Sequence, residues 1–160
     1  MVARGLILSV VCFLCTAVFA AAREGYVVRI EDDGVIVFSE NRDLSDPLKR
    51  YSFYGVEVPT VRQPMGPEAL AWLREQLPPG KKINVDAAGK EEASGTRAMV
   101  RIDSDSVNYQ LLAQGYAWIN RALCRAVFCR RWYIQEHHAV QEKRGLWSLG
   151  LSTPPWQWSR

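Results

Sequence analysis

Cys124 and Cys129 stand five residues apart. Thiols at that distance can form a disulfide, help hold a metal, or stay free and buried. A continuous helix would not allow the bond, because the two Cα atoms must come within about 7 Å. A bond therefore needs a turn or a broken helix between Leu123 and Arg130, and two free buried thiols are the alternative. His137 and His138 lie nearby but are adjacent, so on a helix they face different directions and cannot chelate as an i, i+4 pair would. Their spacing from the cysteines is no standard zinc pattern. The same third of the chain holds Arg121, Arg125, Arg130, Arg131, Lys143 and Arg144, interleaved with Trp118, Trp132 and Tyr133. Guanidinium groups hold phosphate and aromatic rings stack bases, so this stretch could contact nucleic acid. Mixed charges are ordinary on a surface, and the stretch reads first as a solvated helix face over a Trp-rich core.

Composition bounds what these residues can belong to. The chain has 160 residues, 48% apolar and 23% charged, which suits one folded domain. A net charge of +3 excludes a polycationic coat but leaves room for a local basic patch. Two histidines leave little room for a His-rich metal site. Arg4, sixteen uncharged residues from Gly5 to Ala20, and the small run Ala20-Ala21-Ala22 read as a cleavable secretory signal over residues 1–22. The apolar run is shorter than the roughly 20 residues of a spanning helix, which argues against a retained anchor. The domain then covers residues 23–160, exported to a periplasm or secreted, with no membrane segment once the signal is cut. Cys12 and Cys15 leave with the signal. The pair Cys124 and Cys129 stays, and an oxidising compartment favours its disulfide.

Patterning supplies the elements. Tyr26–Ile30 and Val35–Phe38 flank the turn Glu31-Asp32-Asp33-Gly34, a hairpin signal. Ser39–Lys49 is a polar loop and Arg50–Val58 a third strand, ended by Pro59. Pro67 opens a helix carrying Ala69, Leu70, Leu73 and Leu77, and Pro78-Pro79-Gly80 stops it. Lys82–Ala87 and Thr96–Ile102 are the fourth and fifth strands. Asp105 or Ser106 caps a second helix, which Gly115 ends. Asn108, just after that cap, is expected to bond its local backbone. A third helix spans Arg131–Lys143. Trp147, Trp156 and Trp158 are expected to clamp the C-terminal tail to the domain. The reading is α+β: a five-stranded OB-fold β-barrel with three helices.

Four segments carry a family resemblance. They are Tyr54–Pro59 followed by Gln63–Ala69; Val107–Trp118; Arg144-Gly145-Leu146-Trp147; and Pro154-Pro155-Trp156-Gln157-Trp158. In this order and spacing the chain resembles the staphylococcal-nuclease (thermonuclease-like) family. The resemblance implies the same barrel and a calcium-dependent phosphodiesterase acting on DNA and RNA. That chemistry needs a hard cation on carboxylates, a base to activate water, and guanidinium groups on the phosphate.

The resemblance also assigns positions. A metal-binding Asp falls on Gly34, with Asp32 and Asp33 beside it. The second metal carboxylate falls on Glu57, one methylene longer. The base falls on Thr60, and the two phosphate-binding arginines fall on Ser52 and Thr96. Arg97, adjacent to Thr96 within the Ala93–Thr96 match, is expected to point to the opposite face. Glu57 alone reads as a polar residue on a strand rim, since one carboxylate rarely holds calcium. The expectation is a catalytically degenerate, monomeric domain without a cofactor. It would act as a binding module with weak affinity for nucleic acid or for a protein partner in the envelope. The alternative is an active secreted nuclease using calcium and a relocated site drawn from Asp32, Asp33, Glu57, Arg50, Arg62 and Arg97.

Overall fold

The computed structural model describes residues 22–89, 92, 95–150 and 153–158. Residues 1–21 of the expected signal, and Ala93 and Ser94 of the expected phosphate loop, lie outside them. Strand β1 (Arg23–Ile30) forms a hairpin with β2 (Ile36–Ser39), in register Val27↔Phe38 and Ile30↔Ile36. Gly25 makes this pairing possible, because a Cβ there would lie 2.3 Å from the Phe38 ring. Strand β3 (Lys49–Phe53) runs antiparallel to β2, with Ile36 opposite Tyr51.

The third strand does not continue to Val58 as the sequence suggests. Gly55 adopts φ +70°, a left-handed conformation that breaks the strand, and a Cβ there would lie 2.8 Å from Cys124 Sγ. The chain beyond it, β4 (Val56–Glu57), pairs elsewhere. Helix α1 (Gly66–Gln76) buries Ala69, Leu70 and Leu73. Strands β5 (Lys82–Ala87) and β6 (Thr96–Ile102) form an antiparallel pair, and β1 also pairs with β5. Strand β6 then runs parallel to β3, matching Ser52 with Arg97 and Phe53 with Ala98. That pairing closes β3-β2-β1-β5-β6 into a five-stranded barrel.

The short strand β7 (Asp105–Ser106) leads into α2 (Val107–Gln114). Ser106 Oγ accepts from Tyr109 N–H, which settles the cap, and Gly115 ends the helix at φ 72°. Strand β8 (Trp118–Ile119) pairs with β4 outside the barrel. Helix α3 spans Cys129–Gln141, displaced from the expected Arg131–Lys143. Lys143 takes φ 53°, so the chain has left the helix before Gly145. With α1, α2 and α3 the protein is the α+β barrel with three helices that the sequence suggests. No helix among the described residues is long and apolar enough to cross a membrane.

The core fills the barrel and the space beneath α1 and α2 with Ile36, Phe38, Leu70, Leu73, Ile83, Leu111 and Leu112. One polar side chain enters it. Asn108 is fully buried, and its bonds are not local. Its Oδ1 accepts from Val100 N–H at 2.9 Å, and its Nδ2 donates to the carbonyls of Tyr54 and Ala98, each at 3.1 Å. A short amide in the first turn of α2 can bond its own helix, but the strands packed against it offer three better-placed backbone groups. Asn108→Ala removes all three bonds from a dry site, so it should lower stability by about 3 kcal/mol. Urea unfolding measures this, and a loss below about 1 kcal/mol would contradict the role.

Candidate functional site

Strands β3, β4, β6 and the residue after β8 bring four polar side chains together. Glu57 leaves β4 opposite Trp118 of β8. Its Oε1 accepts from Arg97 Nη1 at 3.2 Å and from Asn120 Nδ2 at 3.3 Å. Arg97 also lies 3.6 Å from Glu92 through Nε. Ser52 stands beside Arg97 in the parallel ladder. Ser52 Oγ and Arg97 Nε are buried without a hydrogen-bond partner from the protein. Alternation assigns Arg97 to the face away from Thr96, yet Arg97 reaches Glu57. The reason is the break at Gly55, which carries Glu57 off the barrel strand.

A second group surrounds an open groove of about 370 Å³ lined by Glu31, Asp32, Asp33, Thr60, Val61 and Arg62. Asp33 Oδ1 accepts from Val35 N–H at 3.1 Å and so holds its own turn. Asp32 pairs with Arg74 at 2.9 Å. Arg50 pairs with Glu31. Gly34 is buried at φ +82°, a position that favours glycine. Thr60 N–H donates to Gln63 Oε1 at 2.8 Å, and Gln63 Nε2 donates to the Pro155 carbonyl at 3.0 Å. Gln63 thus ties this loop to the C-terminal tail.

The carboxylates that the resemblance would give to calcium are therefore divided. Asp32 and Asp33 line one group, and Glu57 belongs to the other. Among the described residues no three His, Cys, Asp or Glu side chains gather where they could hold a metal ion. Calcium takes six to eight oxygens, so most of a shell here would have to come from carbonyls, hydroxyls and water. The expected phosphate-binding arginines are likewise separate, each in contact with different acids or grooves: Arg50 with Glu31, Arg62 beside Asp32 and Asp33, Arg97 with Glu57.

Helix α3 supports the site from behind. The chain turns at Asn120, whose carbonyl accepts from Leu123 and Cys124 N–H, and α3 begins only at Cys129. The two sulfurs are bonded, with the Cα atoms 5.8 Å apart, and they pack under Gly55. Glu136 of α3 reaches back, and its Oε1 accepts from Ile119 N–H at 2.8 Å. His137 and His138 are exposed on the same helix. Sequence reading passed over Asn120, Gln63 and Glu136. Asn120 gives no periodic signal, and Glu136 looks like one more charge on a charged helix.

Residues 50–149 match the family model described as staphylococcal nuclease homologue, and the chain belongs to that family. It is 25% identical over 111 residues to a probable staphylococcal-like nuclease of Oryza sativa subsp. japonica, covering 69% of this chain and 29% of that one. It is 29% identical over 128 residues to a probable endonuclease of Candida dubliniensis, covering 71% of this chain and 54% of that one. The chain thus spans from under a third to about half the length of these relatives. The Asp32–Gly34 turn precedes the matched residues and the Pro154–Trp158 tail follows them.

Burial holds the Glu136 carboxyl above its ordinary value of 4.5, against the opposing pull of Ile119 N–H and Arg121. The folded state then binds more protons than the unfolded one above that value. Glu136's contribution to stability is complete below 4.5 and is lost as pH rises through the folded-state value. Glu136→Gln keeps an oxygen for Ile119 N–H and removes the titration. The variant should gain stability relative to the parent as pH rises from about 4 to about 8. Thermal unfolding over that range checks it, and a difference independent of pH would contradict it.

Proposed function

We propose that this chain is an exported nucleic-acid-binding module built on the nuclease barrel, and that it does not cleave phosphodiesters by the calcium mechanism of its family. The observation that carries the reading is the state of Glu57. Its carboxylate already meets Arg97 and Asn120, and Arg97 itself also lies 3.6 Å from Glu92. The positions that the resemblance gives to the base and the two phosphate arginines hold Thr60, Ser52 and Thr96. A threonine hydroxyl does not accept a proton near neutral pH, and losing a single base or oxyanion donor typically costs about a hundredfold or more in rate.

Nucleic-acid affinity is proposed from the family, from relatives whose names describe nucleases, and from the exposed Arg121, Arg125, Arg130 and Arg131. Export is proposed from the signal-like N-terminus and is supported by the Cys124–Cys129 bond, which persists in oxidising compartments. The test incubates the purified exported protein with single-stranded DNA, with calcium, with other divalent ions, and with chelator. We expect intact DNA throughout and binding that weakens steeply with salt. Metal-dependent cleavage that disappears in Glu57→Ala would overturn the reading and assign a rebuilt active site instead.

A further inference from the structure

Beside the Glu57 group a second concavity opens, with a volume of about 400 Å³. Its walls include Trp118, Trp147 and Trp156, with Asn120 and Arg121 among its polar groups. The Trp118 and Trp147 rings lie 4.7 Å apart and tilt by 30°. Trp156 stands at 66° to Trp118 with its centroid 6.5 Å away, and it is 47% exposed. The tail is therefore clamped by its tryptophans, yet the clamp leaves an open aromatic cleft.

Two features go beyond packing. Trp118 is 5% exposed, and its Nε1, like that of Trp147, is buried with no acceptor from the protein. Buried indole N–H groups are normally paired, so two orphans on tryptophans that line one cleft are donors that packing alone does not explain. Arg121 remains largely exposed at the mouth, stacked 4.6 Å over Tyr133 and 3.4 Å from the carboxyl of Glu136, which also lines the cleft. Arg125 and Arg130 follow it on the exposed surface.

We infer that this cleft takes one unstacked base of a single-stranded nucleic acid. A base offers a flat π-face to the half-exposed Trp156, ring and carbonyl groups to the polar side chains of the cleft, and a phosphate that can meet Arg121 at the mouth. A neutral sugar ring would stack on tryptophan but would bring no anionic group to Arg121 at the mouth. An apolar peptide would bring neither an anionic group nor acceptors. The inference rests on the nucleic-acid reading above and assigns the place where that polymer is held.

Fluorescence anisotropy of labelled oligo-dT tests it against an abasic oligomer of equal length and charge. The purified exported protein should bind oligo-dT about tenfold tighter, the scale of one stacked base. Trp156→Ala, at the exposed rim, should erase that preference while leaving abasic binding unchanged, and a cooperative melting curve shows that the variant is folded. Trp156→Phe should restore most of it. Equal binding of the two oligomers would overturn the base pocket and leave the nucleic-acid reading standing. A preference that survives Trp156→Ala would overturn it too, by placing base contacts elsewhere. Binding of neither oligomer would remove both readings, and displacement of bound oligo-dT by an uncharged proline-rich peptide alone would assign the cleft to a protein partner.

Discussion

The parallel pairing of β3 with β6 is what the rest of the molecule depends on. The other barrel strands meet their neighbours antiparallel, and β1 finds β5 from as far along the chain as Arg23 and Val85. The β3–β6 contact is parallel instead, across β4, α1 and β5, and it rests on the short register Tyr51↔Thr96 to Phe53↔Ala98. Backbone pairing so brief is weak by itself. Where it ends, Tyr54 N–H donates to the Ala98 carbonyl at 2.8 Å, and Asn108 takes over from α2. One amide bonds to both strands at the seam, so the helix is fastened to the closure it protects. The same bonds satisfy polar groups that would otherwise be dry and unpaired.

Closure also fixes the electrostatics outside the barrel. The parallel register sets Arg97 beside Ser52, and the turn at Gly55 swings Glu57 out to meet it. Glu57 keeps 29% of its side chain exposed and Arg97 19%, so their attraction is screened less than that of a surface pair. A carboxylate already facing a guanidinium and an amide has little field left to offer a divalent ion. Asn120 bonds Glu57 and also lines the tryptophan cleft, so the polar group and the aromatic one share a wall. Glu136 holds that wall through Ile119, and the disulfide holds the turn that follows it.

Much of the barrel was legible because its signals are local. The β1–β2 hairpin, the breakers Pro78-Pro79-Gly80 and the Ser106 and Gly115 caps each act over a few residues, and the structure follows them. The signals that failed are those decided at a distance. Gly55 sits inside an aromatic run with strand propensity, and the left-handed turn it makes leaves no room for a side chain beside Cys124 from across the fold. Asn108 reads as a helix-start residue because its partners on β6 and at Tyr54 lie 8 and 54 residues away. Arg97 obeys strand alternation, but its partner has left the sheet. Site residues were therefore named more easily than they were grouped. The acids have separate partners, Asp32 with Arg74 and Glu57 with Arg97 and Asn120.

The residues that hold the fold and the residues that the family uses for chemistry scarcely overlap. Asn108, Gly55 and Phe38 are buried, and changing them would strand polar groups, force a clash or open a cavity, respectively. Ser52, Thr60 and Thr96 are only partly buried and fasten no strand through their side chains. Selection on stability alone would preserve the first set and leave the second free to change. A barrel can thus outlast its catalytic groups, provided some function still requires the surface it presents. The orphaned indole donors are a cost that stability alone does not explain, since replacing either ring by an apolar one would remove it. On tryptophans that line an open cleft, that cost is what the proposed binding surface would account for.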